Sequence, residues 1–385
     1  MTAIGLLRGT RVLDLGSEAL AYAGRVLAEL GAEVILVEPP GGSPLRRVPP
    51  LVEGEDGTAV SAAFLAYAAG KRSVTIDEGS QDGRSRRDLL AASADIVLLG
   101  DPAGSGGPDL DERALRLVND DLIAVSATGF GRTGVHRNWR GSDTVAWASS
   151  GLTFPLGDPD RPPVVAPLGL TNAVSSLNAC MGALLALRAR RARGSGQAVD
   201  ISMQEAALSV SMEAGPQMAV EGLVPGRVPR ARLAGLGVIS GPNGTTVDIA
   251  AFLPGQWDSL AAWIAEILGM EEPLLDVFRG PVSVRAPYIE IINGWIAELL
   301  GHYTKHEFFL EAQRRGIPCG PVNGLVELLD DEHLRAAGAW EVHSVPGLPP
   351  FRLPRGPLSV DGVRSGPSSI PAVGEHDDVV LGSLG

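Results

Sequence analysis

With 385 residues, 45% of them hydrophobic, the chain is long enough for one large core or two moderate ones, which excludes a disordered protein. Its net charge of −13 excludes the broad positive field that nucleic acid or an anionic membrane surface requires, so any anionic ligand must be held by local Arg and Lys. Cys180 and Cys319 are too few for a disulfide framework and lack metal-ligand spacing, which points to a cytoplasmic chain without a cysteine metal centre.

Residues 1–8 lack a basic segment followed by a long apolar run, so they do not read as a signal peptide. Residues 11–15 form a short apolar run, 19–30 a helical pattern and 31–37 a second extended run, which together make a βαβ unit. The rhythm repeats with strands predicted at 72–76, 94–99 and 122–126 and a helix at 84–93. Such alternation implies a mostly parallel sheet whose ligands sit at the carboxyl ends of its strands. Asp14-Leu-Gly-Ser-Glu-Ala-Leu20 lacks the second and third glycines of a dinucleotide fingerprint, so that fingerprint is absent.

A long helix is predicted over 172–191. Its apolar stretch, 173–187, is broken by Ser175, Ser176 and Asn178 and is too short to span a bilayer, so it reads as a buried helix. A turn at 194–197 leads to a strand ending near Ser202, and one helix is expected over 204–220. Residues 222–244 are rich in Gly, Pro and Arg and read as a linker. Beyond it a second α/β segment has helices predicted at 257–268 and 288–300, followed by a proline-rich return. The expected domains are 1–222 (large domain, first part), 223–325 (linker and small domain) and 326–385 (return to the large domain).

Several segments carry a resemblance. They are Leu7-Arg-Gly-Thr-Arg-Val-Leu-Asp-Leu15, Leu27-Ala-Glu-Leu-Gly-Ala-Glu-Val-Ile-Leu-Val-Glu38 with Pro40-Gly-Gly42, and Gly70-Lys-Arg-Ser-Val-Thr-Ile-Asp77. Further along come Thr128-Gly-Phe-Gly-Arg-Thr-Gly134, Gly194-Ser-Gly-Gln-Ala-Val-Asp200, Gly316-Ile-Pro-Cys-Gly-Pro-Val322 and Val373-Gly-Glu-His376. In this order and spacing the chain resembles the family III CoA-transferases, the CaiB/BaiF group, which includes formyl-CoA and carnitine CoA-transferases and, by relationship, α-methylacyl-CoA racemase. The resemblance implies an α/β fold with a Rossmann-like large domain built from both chain ends, a smaller α/β domain and an interlinked dimer. It also implies coenzyme A or an acyl-CoA as substrate, no metal, and a carboxylate at the start of the 172–191 helix that attacks the thioester and forms an anhydride.

Gap-free spacing from Gly182 and Gly194-Ser-Gly-Gln197 places Asn172 at that carboxylate position, and no Asp or Glu lies between Arg161 and Asp200. A carboxamide cannot form the anhydride. Asn172 is also a good helix N-cap, which needs no chemistry, and an engineered Asp→Asn change is a third reading. Ser142 stands where the related racemases place a His, and Asp143 is either a site carboxylate or a turn residue. Glu205 reads as a first-turn helix residue, and Cys319 and His376 read as structural.

Lys71, Arg72, Arg140 and Arg46 resemble positions that face the CoA phosphates, against an alternative as ordinary solvated cations. The loop at 98–103, which the resemblance sets against adenosine, lacks Asn, aromatic and Arg residues, and the active-site glycine loop is reduced to Gly235-Leu-Gly237. Three functions are compatible: CoA transfer between an acyl-CoA and a carboxylic acid, a non-catalytic subunit paired with an active paralogue, or a diverged enzyme using Asn172, Ser142 and Asp143 without a covalent intermediate. The partner would be a second copy or a paralogue, with neither nucleic acid nor membrane involved.

Overall fold

The computed structural model describes the chain apart from residues 1–4, 56, 101–111, 211–213, 223–225, 228–233, 365, 367–368 and 385. It divides into two units. The first comprises Met1–Leu156, Val164–Pro225 and His333–Gly385, and the second comprises Gly157–Pro163 and Gly226–Glu332.

In the first unit six strands pair in parallel: β1 (Arg11–Asp14), β2 (Glu33–Glu38), β3 (Arg72–Thr75), β4 (Ile96–Leu99), β5 (Ile123–Thr128) and β6 (Ala198–Ser202). Their order is β3-β2-β1-β4-β5-β6, a doubly wound sheet. Along the chain its helices include α1 (Ala21–Glu29), α2 (Gln81–Ala92), α3 (Glu112–Val118), α4 (Asp143–Ser149), α5 (Leu170–Arg193), α6 (Met203–Leu208) and α7 (Ala214–Glu221).

The strands are nearly all apolar because helices cover both faces. Val12, Ile96, Leu98, Ile123 and Val125 point to one face, where Leu27 of α1 and Ala179, Ala183 and Ala186 of α5 cover them. The alternate residues Leu13, Ile35, Val97 and Ala124 point to the other, against Leu90 of α2 and Leu115 of α3. Gly182 lets α5 lie close on β6, since a Cβ there would stand 2.6 Å from the Val199 side chain. Among the described helices α5 alone is long and apolar enough to cross a membrane, yet 44% of its apolar window is buried inside the protein.

The C-terminal return docks on β3, where the Thr75 amide donates to Asp377 at 2.7 Å, and Arg25 donates to the Pro354 carbonyl.

The second unit has its own core. An antiparallel sheet of β7 (Leu236–Ser240), β8 (Thr246–Ala250) and β9 (Cys319–Pro321) packs with α8 (Pro254–Leu268), α9 (Ile289–Leu300) and α10 (Lys305–Arg314) around Trp257, Trp263, Ile296 and Phe308.

Two expectations fail. The predicted linker over 222–244 contains β7, because Pro242-Asn-Gly244 is the tip of a hairpin joining β7 to β8, an Asn-Gly signal hidden in the surrounding glycines. The single helix expected over 204–220 is two. Ser202 caps α6 by accepting from the Glu205 amide at 3.2 Å, and the Ser209 and Val210 amides close its end onto Glu205 and Ala207 carbonyls.

Candidate active site

Strand order reverses between β1 and β4, and the crevice at their carboxyl ends is where doubly wound sheets bind ligands. The chain leaves β1 at Asp14 and reaches a short 3-10 turn, Glu18–Leu20, that leads into α1. Helix α5 is laid along this turn by three polar side chains spaced four residues apart, so that all lie on one helix face. The Asn172 Nδ2 donates to Glu18 Oε1 at 3.3 Å, the Ser176 hydroxyl to the Ala19 carbonyl at 2.8 Å, and the Cys180 thiol to the Ala23 carbonyl at 3.5 Å. Ser176, one of the polar residues that break the apolar run of α5, is therefore fully buried and partnered.

Asp143 holds the start of the same helix. Its Oδ1 accepts from the Asn172 amide at 2.9 Å and its Oδ2 from the Gly169 amide at 3.0 Å, while the Thr171 hydroxyl donates to its carbonyl at 2.8 Å. A carboxylate here satisfies amides that the helix itself cannot pair and sits at the positive end of its dipole. Asn172 is the third residue of α5, and Gly169, at φ 85°, occupies the cap position. The N-cap reading of Asn172 is thus corrected: its amide is capped from Asp143, and its side chain is turned to Glu18.

Glu18 is an exposed residue whose carboxyl is partly shielded by its neighbours. Partial burial of its carboxyl raises its pKa, the negative charge of Asp143 adds to the rise, and the Asn172 hydrogen bond opposes both. Ser142 caps α4 by accepting from the Val145 amide at 3.4 Å.

The loop that carries Ser142 and Asp143 is pinned by two glycines. Gly129 and Gly141 meet backbone to backbone, so a Cβ on Gly129 would stand 2.5 Å from the Gly141 Cα. Gly129→Ala should force this loop open and lower stability by about 1–3 kcal/mol, as overpacking does, with a parallel loss of activity. Urea unfolding and a turnover assay check both, and a fully stable, fully active variant would show that the contact is not needed.

The four basic residues lie apart in role. Lys71 is 3% exposed and donates to Asp14 at 2.7 Å and to the Ala21 carbonyl at 2.8 Å, beside a closed cavity of about 10 Å³ that is far too small for a nucleotide. Arg46 grips the fully buried Glu38 through two bonds of 2.7 and 2.6 Å and lies 3.9 Å over the Phe64 ring. Burial pushes the Glu38 carboxyl up, but Arg46, Ser73 and the Ser43 amide outweigh it and hold the pKa below the usual value. Arg72 is paired with Glu33 at 2.6 Å. Arg140 is exposed and makes no ion pair among the described residues.

Beside Arg140, Trp139 is 58% exposed and tilts over His136 at 3.7 Å, with Phe130 edge-on, an aromatic cluster that composition gave no reason to expect. Residues 101–103 of the expected adenosine loop lie outside the described residues, and Gly235-Leu-Gly237 enters β7. A pocket of about 490 Å³ is lined by Asp95, Asn119, Asp121 and Arg190 at the amino ends of the strands, away from Glu18 and Asn172. Glu205 is in the first turn of α6, as expected. Glu18 is the residue that sequence reasoning passed over. Its signal was a carboxylate four positions beyond the first strand of a parallel sheet.

A parallel sheet of this order, with two carboxylates and an amide gathered at its carboxyl edge, is an α/β fold of the doubly wound class, in which ligands bind at the switch point. The model of CoA-transferase family III matches residues 7–377, and the chain belongs to that family. It is 31% identical over 352 residues to the succinyl-CoA–L-malate CoA-transferase alpha subunit of Chloroflexus aurantiacus, covering 89% of this chain and 80% of that protein. It is 32% identical over 340 residues to the succinyl-CoA:mesaconate CoA-transferase of Haloarcula hispanica, covering 86% of this chain and 84% of that one. The crystal structure of a CaiB/BaiF family protein from Brucella suis superposes with a TM-score of 0.85 at 26% identity, over 98% of this chain and 99% of that one. The chain is thus an acyl-CoA-handling protein of the family III CoA-transferase type.

Proposed function

We propose that the chain moves coenzyme A from the thioester of a short dicarboxylic acid to a second carboxylic acid, at the group formed by Glu18, Asn172 and Asp143. The observation that carries this reading is the gathering of carboxylate and amide at the switch point of a chain matched over nearly its full length to CoA-transferases. Both relatives named above are described as acting on succinyl-CoA, which supports a dicarboxylic donor. The family resemblance aligns Asn172 with the attacking carboxylate, so Asn172 serves here as a hydrogen-bond donor. Arg140 is the cation left to meet a CoA phosphate, since Lys71, Arg46 and Arg72 are engaged by Asp14, Glu38 and Glu33.

The protein works as an interlinked dimer, either of two copies or with a paralogue. Support comes from Leu177, Met181, Leu184 and Leu185, an apolar stripe left exposed on α5 of the single chain, and from the relative described as an alpha subunit. Incubated with succinyl-CoA and a panel of malate, mesaconate and glutarate, the purified chain should yield a new CoA thioester by mass spectrometry. Transfer that appears only on co-expression with a homologous chain would assign it to a heteromer, and no new thioester in either preparation would refute the reading.

A further inference from the structure

We propose that Glu18 is the nucleophile of this protein, the carboxylate that becomes covalently joined first to the acyl group and then to coenzyme A. The inference rests on the transferase reading above and adds the residue that performs it.

Four observations converge on this residue. Glu18 stands just past the carboxyl end of β1, at the crevice beside β4, and is exposed while its turn neighbours Ala19 and Leu20 are buried. Its Oε1 is held by the Asn172 amide at 3.3 Å, and among the described residues its carboxylate takes no other hydrogen bond, which leaves Oε2 open to attack. The turn beneath it cannot drift, because Ser176 and Cys180 of α5 bind the carbonyls of Ala19 and Ala23. Asp143, the other carboxylate of the group, has both oxygens committed to the amides of Gly169 and Asn172. Of the two, only Glu18 has an oxygen to give.

Asn172 also explains itself in this arrangement. A carboxylate in its place would set a second negative charge within 3.3 Å of Glu18, and two carboxylates that close cannot both stay ionised. A neutral amide orients Glu18 without adding that charge. Partial burial and the Asp143 charge raise its affinity for a proton, which makes the carboxylate a more basic and more reactive oxygen nucleophile.

The steps balance. Glu18 Oε2 bonds to the thioester carbonyl carbon, the C–S bond breaks, and coenzyme A leaves as thiolate, giving a mixed anhydride. The thiolate then attacks the Glu18 carbonyl carbon, the donor acid leaves as carboxylate, and a glutamyl-CoA thioester remains. The acceptor carboxylate attacks that thioester and expels the thiolate, forming a second anhydride. The thiolate attacks its acceptor carbonyl, which releases the new acyl-CoA and frees the Glu18 carboxylate. No oxidant or further reactant is needed.

The test treats full-length protein with succinyl-CoA or acetyl-CoA, without acceptor, quenches with hydroxylamine, and maps hydroxamate by tandem mass spectrometry. The tryptic peptide 12–25 contains only Asp14 and Glu18 as acids, so the site is read directly. The expected result is a hydroxamate on Glu18 in the wild type, none in Glu18→Gln, and a fall in transfer on the order of 10³-fold or more with an unchanged melting temperature. A hydroxamate on Asp143 or elsewhere, or a Glu18→Gln variant that transfers at the wild-type rate, overturns the assignment of Glu18 while the transferase reading stands. No adduct and no transfer with either thioester overturns both. The wild-type adduct map does not depend on any variant folding.

Discussion

Replacing Lys71 with Met should lower the stability of the folded chain by about 3–5 kcal/mol, seen as a lower urea midpoint at unchanged slope. Lys71 and Asp14 are 3% and 0% exposed, and their bond of 2.7 Å lies inside the sheet-to-helix packing. Removing the ammonium leaves a charge on Asp14 with no counter-ion and no water to stabilise it, and that uncompensated charge is the main part of the cost. The site is shaped around the pair: a Cβ on Gly24 would stand 2.6 Å from Asp14 Oδ2 and 2.7 Å from Lys71 Nζ, so α1 can pass only with glycine there. Adding Asp14→Asn to Lys71→Met should recover much of the loss, since the orphaned charge is then gone. A single variant that folds as well as the wild type but fails to bind coenzyme A would return Lys71 to the ligand.

Asp143→Ala should cost about 3 kcal/mol. It removes two hydrogen bonds to a charged acceptor, each worth about 1.5–3 kcal/mol, from amides at the start of α5, and water recovers part of that. Asp143→Asn keeps one good acceptor and should lose about half as much. The effect is local first: amide hydrogen exchange at Gly169 and Asn172 should quicken before the sheet does, and Asn172 should lose its aim at Glu18. Exchange unchanged at those two amides would show that Asp143 does not hold the helix.

Much of the fold was legible because parallel strands covered on both faces leave near-continuous apolar runs, so β1 to β5 stand out. The hairpin of β7 and β8 was not, because Asn243-Gly244 lay among other glycines and prolines. At the site, the position of Asn172 follows from spacing within one helix, but its partner does not. Glu18 is 154 residues away, and only the crossing of α5 over the turn after β1 brings them together. The partners of the basic residues were hidden for the same reason. Lys71, Arg72 and Arg46 read as free cations in their own segments, whereas their partners Asp14, Glu33 and Glu38 arrive from β1 and β2. A charge is free or bound according to what the neighbouring strand carries, which local sequence does not state.

Among 32 basic residues only two, Lys71 and Lys305, are lysines. Lys71 is sealed between Asp14 and the Ala21 carbonyl, and Lys305 donates to Glu327 and to the Val322 carbonyl. Thioesters and anhydrides acylate stray amines as readily as they react with an intended acceptor. A chain whose cations are almost all arginine, with its two side-chain amines already engaged, is therefore sheltered from slow self-modification by the activated acyl groups it handles.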